Sequence, residues 1–276
     1  MLEIFNFLFI QIVLLAVVTS VHTYLGLHVI RRGIVFSDLS LDQLAALGVI
    51  VGVAIGIEGG SAGSYLVSFL AVLVGSFLLT FIKPKNKIIP HEAVIGIIYG
   101  LALVASIMVA DKFSGGAAYV TQTLSGCMLW VSWPLVLVTI IAYFFLSVFH
   151  YKYREKFKAI TEKSEKIHNE NFWDLLFFIS LGIITVLIVP IAGVLLAYAF
   201  LMIPAAIALL FTKDWAKALK IGWIVGFAAS MLGLLSSYIF GFSYGPSMVL
   251  ALGLFFTGAL LIRAALPERN RIISKG

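Results

Sequence analysis

Nine apolar stretches, each near the ~20 residues a helix needs to cross a bilayer, leave this chain little freedom of fold. They run over 4–30, 40–57, 62–82, 91–110, 134–150, 173–190, 191–211, 218–240 and 246–264. In hydrocarbon every backbone N–H and C=O needs a partner within the protein, so unbroken runs of this length read as helices. Hydrophobic residues make up 62% of the 276 residues and charged residues 12%, about half the charged share of a soluble domain. The sequence therefore reads as an all-α, polytopic integral membrane protein of eight or nine transmembrane helices. Residues 1–276 form a single transmembrane domain, because no polar stretch is long enough to build a second.

The count turns on 173–211, nearly twice one span. Proline disfavours a continuous helix, so the break is expected near Pro190. Charge supports the division. With Arg31 and Arg32 in the cytoplasm, Lys83, Lys85, Lys87, the loop Lys152–Lys166, the loop Lys213–Lys220 and the tail from Arg263 share that side. Of the 19 basic residues, Lys112 alone is left outside. Merging 173–211 into one span would expose the last two basic clusters. The positive-inside rule thus favours nine spans, with the N-terminus outside and the C-terminus cytoplasmic. The net charge of +6 is then a matter of topology; lipid is the expected partner and nucleic acid is not. No basic n-region precedes the first apolar run, so no cleaved signal is expected. The single Cys127 excludes an internal disulfide and a Cys-rich metal site. Ala117–Trp133 is too polar for a span and is read as a surface, re-entrant or short helical piece. The loop Tyr151–Asn171 is helix-prone. Trp130, Trp133 and Trp173 suit membrane interfaces.

One stretch carries chemistry: Asp38 to Gly60, an apolar segment that opens with Asp38, Asp42 and Gln43. An acid on a lipid-facing helix costs roughly 3 kcal/mol on insertion scales, so such residues face protein or water. At about 100° per residue, Asp38 and Asp42 project within about 40° of each other, on the side of Gly48, Gly52 and Gly56. Those glycines form the small-xxx-small pattern that lets helix backbones touch. Two readings stand: cation ligands along a path, or mouth residues that are hydrogen-bonded or solvated. Gln43 points to another face than Asp42. Glu92 follows His91 directly after Pro90, where it either caps a positive helix N-terminus or binds cations. His22 and His28 lie about 240° apart on an ideal helix and read as buried structural histidines; His150 and His168 read as solvated. Glu58 and Asp111 fall at the outer ends. Without G-x-x-x-x-G-K-[ST], H-E-x-x-H or a nucleophile elbow, the chain reads as non-catalytic, and any nucleotide hydrolysis falls to another subunit.

Several blocks together resemble the permease subunits of bacterial ABC importers for divalent metals (zinc, manganese, iron). They are R-R-G-I-V-F-S at 31–37, H-E-A-V-I-G-I-I-Y-G at 91–100, L-S-G-C-M-L-W-V-S-W at 124–133, I-A-G-V-L-L-A-Y-A-F-L-M-I-P-A-A-I-A at 191–208 and G-P-S-M-V-L at 245–250. The resemblance implies a subunit of the bacterial cytoplasmic membrane that passes a divalent metal ion. It implies a second permease copy in a homodimer, cytoplasmic ABC ATPase subunits that carry the ATP, and an extracytoplasmic metal-binding protein. The loops Tyr151–Asn171 and Lys213–Lys220 are the expected ATPase contacts, and the glycine face of the second span the expected sliding surface. The family's Asp-x-x-x-His pair in the second segment aligns with Leu39 and Gln43 here, and its frequent Asp before the last helix with Gly241. The metal residues expected are therefore Asp42, Gln43, Asp38 and Glu92, Gln43 through its carbonyl oxygen. The alternatives are an ABC permease for a metal chelate or other small cargo, a stand-alone secondary cation carrier, and a membrane scaffold without a transport role. A large cargo needs a wide cavity, and a secondary carrier shows broken helices repeated in its two halves.

Overall fold

The computed structural model describes residues 2–84, 88–126, 131–163 and 168–266, with side chains from Leu8 onward. Lys85, Lys87, Cys127, Trp130, Lys166 and the tail from 267 lie outside the described residues, as does part of the 124–133 block. Among the described residues all regular structure is helical. The order is α1 (Leu2–Arg32), α2 (Phe36–Ala54), α3 (Ala62–Phe81), α4 (His91–Ala110), α5 (Gly116–Ser125), α6 (Trp133–Lys152), α7 (Arg154–Glu162), α8 (Glu170–Phe211), α9 (Trp215–Phe240) and α10 (Tyr244–Ala265). Eight of these are long and apolar enough to cross a membrane. The polar 117–133 segment holds the short α5, and the helix-prone loop holds α7.

The 42 residues of α8 would span roughly 63 Å as a straight helix, twice a hydrocarbon core of ~30 Å. They double back instead. Near its start, Asp174 accepts from Arg32 at 2.5 Å; just past its end, the Lys213 carbonyl accepts from Arg31. Those arginines are neighbours in the last turn of α1, so both ends of the 42-residue segment meet at one end of the bundle. The reversal is at Gly193, with φ 76° and ψ 164°, a left-handed conformation suited to glycine. A side chain there would collide with Gly126: an added Cβ would lie 2.3 Å from its nitrogen. The break is thus three residues beyond Pro190, which removes one backbone donor from the last turn of the first arm. The two arms, 170–192 and 194–211, bring the described crossings to nine.

One end of the bundle gathers the cations. Arg32 and Lys83 both pair with Asp174, tying α1, α3 and α8. Arg31 pairs with Glu162 at 3.3 Å and lies 4.1 Å from the centre of the Trp215 ring; the Trp215 indole donates to the same Glu162 at 2.6 Å. The opposite end holds Gly59, Gly126, Gly193 and Gly245 with α5. Lys112, Glu58 and Asp111 belong to it and are exposed. Hydroxyls inside the bundle mostly bond the carbonyl four residues back, as Ser76, Thr80, Ser106, Thr139 and Ser180 do. This hides their polarity within their own helix.

Candidate functional site

Helix α2 lies inside a sleeve of α3, α4 and α8, and each neighbour meets a different face. Toward α3, an added Cβ on Gly48 would lie 2.5 Å from the Ser68 Cα, and Ser68 donates to the Ala45 carbonyl at 3.1 Å. The backbones touch there. The glycine repeat ends at that contact: Gly52 has its nearest neighbours at 3.9 Å, and Gly56, with φ 87°, lies beyond the helix end. The expected sliding surface packs, at Gly48, on α3 of the same chain. Toward α4, Gln43 donates from Nε2 to Ser106 at 3.1 Å. Toward α8, Asp42 accepts from Thr185 at 2.9 Å. Thr185 does not follow the back-bonding habit of the other hydroxyls; its proton goes across to the acid.

Asp38, Asp42 and Gln43 are each 1% exposed. Mouth solvation does not describe the two acids: α2 begins at Phe36, earlier than the apolar run, and the bundle closes around its first turns. Glu92 is half-buried and caps a helix other than its own. Its Oε1 accepts the Phe36 N–H at 2.8 Å, one of the free donors at the start of α2. In every one of these four side chains one oxygen stays buried without a hydrogen-bond partner: Asp38 Oδ2, Asp42 Oδ2, Gln43 Oε1 and Glu92 Oε2. Tyr198, on the second arm of α8, lies within electrostatic range of Asp38, Asp42 and Glu92, and Tyr143 within range of the two aspartates. The acids thus share one neighbourhood, while Gln43 points away from it toward α4. Among the described residues, no three His, Cys, Asp or Glu side chains converge as a ligand set. Buried carboxylates without counter-charge are costly, and the side chains around the two aspartates, Thr185, Tyr143 and Tyr198, offer oxygen atoms only.

The histidines stand apart. His22 is buried, its Nδ1 3.0 Å from the Val18 carbonyl, and His28 is buried with Nδ1 2.6 Å from Thr161 Oγ1; the burial of both is as expected. His150 is not solvated: it is 3% exposed, stacked on Phe157 at 4.1 Å, because α7 folds back across it. His168 is exposed. Thr185, Tyr198, Tyr143 and Ser106 were not anticipated from sequence. Their signal was a polar atom in the middle of an apolar run. At the glycine-rich end a cavity of about 760 Å³, lined by Gly59, Tyr65, Tyr119, Gln122 and Ser132, reaches Val49 of α2. That residue is about two turns from Asp42.

The model of the ABC 3 transport family matches residues 4–263. The chain is 25% identical over 267 residues to the manganese transport system membrane protein MntC of Listeria innocua, covering 94% of this chain and 92% of that one. It is 26% identical over 263 residues to the manganese import system permease protein ScaB of Streptococcus gordonii, with the same shares covered. Its fold matches that of a chain in the structure of PsaBC from Streptococcus pneumoniae in complex with Fab: TM-score 0.78, 23% identity, 98% of this chain and 95% of that one. With a family match over residues 4–263 and a fold of nine crossings that includes the sleeved, acid-bearing α2, the chain belongs to the ABC 3 transport family.

Proposed function

We propose that this chain is the permease subunit of an ATP-driven importer of divalent metal ions in the bacterial cytoplasmic membrane. The observation that carries the reading is the set of unpartnered oxygens along α2 and at Glu92. A cation in passage supplies the counter-charge that the fold withholds. Two carboxylates, a threonine hydroxyl and a tyrosine suit an ion that prefers oxygen, such as manganese, over zinc with its preference for imidazole and thiolate. The names of the Listeria and Streptococcus relatives agree.

The basic end faces the cytoplasm under the positive-inside rule, and so does the C-terminus. The cavity at the opposite end, with Gln122, Thr123 and Ser132 on its wall, is the antechamber where an extracytoplasmic metal-binding protein delivers its ion. A second copy packs against α4, whose outward face carries Gly96 and Gly100 with nothing within 4 Å of either. That four-residue spacing lets two helices approach closely. ATPase subunits grip the basic end through Glu155 and Lys156 of α7 and through Lys213, Asp214 and Lys217 of the 213–220 segment, all exposed and outside the walls of the cleft between α1, α6, α7 and α9, and their closure rocks the helices around α2.

The test is manganese accumulation in vesicles holding the chain with its ATPase subunits and binding protein. Accumulation should require ATP, and zinc should compete poorly. Transport by the chain alone without ATP would make it a secondary carrier and overturn the reading.

A further inference from the structure

A cavity of about 640 Å³ opens at the basic end between α1, α6, α7 and α9. Its wall is almost wholly apolar, with Tyr24, Leu146, Trp215 and Trp223 among the lining side chains, while Arg154 and Lys158 stand on it as cations. The two are four residues apart on α7 and so share one helix face. Arg154 touches Glu155 through Nε at 3.1 Å, an exposed pair of small strength. Lys158 lies 5.9 Å from the Trp215 ring centre, and no ion pair reaches it among the described residues. His150 also lines the cavity. It is 3% exposed, and neither ring nitrogen has a hydrogen-bond partner.

A second cavity of about 510 Å³ continues from the first along α1 and α9, sharing Ser20 and Trp223 with it and lined further on by Ala16, Phe227 and Ala228. The Trp223 indole donates to the Ser20 carbonyl at 2.9 Å, and the Ser20 hydroxyl to the Val17 carbonyl at 2.7 Å. Both polar groups are thereby used up, and they leave hydrocarbon facing the cleft. From Trp215 to Ala228 the cleft follows fourteen residues of α9, roughly 20 Å. One leaflet of hydrocarbon is about 15 Å deep. Cations and an unpartnered imidazole at one end, and an apolar channel of leaflet depth beyond, match the two halves of one molecule.

We infer that this cleft is a binding site for an anionic phospholipid, with the phosphate between Arg154, Lys158 and His150 and one acyl chain along the α1–α9 groove. Basic pockets between spanning helices recognise anionic head groups in this way, and the aromatic residues lie where the head-group region begins. The site is independent of the metal path: none of its residues contacts Asp38, Asp42 or Glu92 in the interactions described above. An occupied cleft would brace α7 against α1 and α9.

The experiment is native mass spectrometry of the purified full chain in micelles doped with dioleoylphosphatidylglycerol or dioleoylphosphatidylcholine. A one-to-one phosphatidylglycerol adduct should form at about tenfold lower lipid concentration than the phosphatidylcholine adduct, a difference of one decade in affinity. The double variant Arg154→Ala/Lys158→Ala should lose that preference while unfolding at the wild-type temperature. Arg154→Lys/Lys158→Arg should keep it, and Ser147→Trp, which fills the cavity mouth, should abolish binding with both cations in place. Equal affinity for the two lipids, or a preference untouched by the double alanine variant, would overturn the proposal. So would displacement of bound phosphatidylglycerol by purified ATPase subunit, which would make the cleft a protein contact.

Discussion

The basic end and the sleeved helix treat charge in opposite ways. At the basic end two acids are answered by cations: Asp174 takes Arg32 and Lys83, and Glu162 takes Arg31 together with the Trp215 indole. Around α2, Asp38, Asp42 and Glu92 meet no cation among the described residues, although the two aspartates are as deeply buried as Asp174. The chain therefore has the means to neutralise an acid and does not use them there. Paired charge at one end holds helices together. In the middle, Asp42 and Glu92 each accept one hydrogen bond, but a buried carboxylate without a counter-charge opposes folding. Its retention points to a positive species that enters and leaves.

That contrast can be broken by mutation, and the largest effect falls at the paired end. Asp174→Ala strands Arg32 and Lys83 and should destabilise the chain by about 3 kcal/mol, read as a lower unfolding midpoint in micelles. Gly48→Leu forces α2 from α3 and should cost about 2 kcal/mol by overpacking, whereas Gly52→Ala, with its nearest atoms at 3.9 Å, should stay within about 0.5 kcal/mol of wild type. Gln43→Leu removes a hydrogen bond but also an unsatisfied oxygen, so its stability should change by less than about 1 kcal/mol. Ser106 keeps its bond to the Ala102 carbonyl at 2.8 Å. If Gln43 supplies a carbonyl to the ion, uptake by this variant falls while the fold does not.

The spans were legible because hydrocarbon length and backbone satisfaction act on short windows of sequence. The one-sided distribution of cations was legible too: Arg31, Arg32, Lys83, Arg154 and Lys213 do share an end. What a window cannot hold is partnership across the chain. Pro190 looked like the break because proline removes a donor, yet the turn falls at Gly193, where Gly126 comes too near for any side chain. Glu92 looked like a cap for its own helix and instead caps α2, 56 residues away. His150 looked solvated beside a basic loop, until Phe157 of that loop stacks on it. Asp38 and Asp42 were found because acids in an apolar run stand out. Thr185 and Tyr198 were not, because hydroxyls inside helices usually serve their own backbone.

The most direct measurement is Asp42→Asn, which keeps shape and the capacity to accept from Thr185 but removes the charge. Unfolding midpoint and ATP-dependent manganese uptake should be read on the same preparation. The account predicts an unchanged or higher midpoint with uptake reduced by at least about tenfold, the scale on which metal sites respond to the loss of a tuning group. Wild-type uptake, or a fall in stability like that of Asp174→Ala, would mean that Asp42 serves the fold and not the ion.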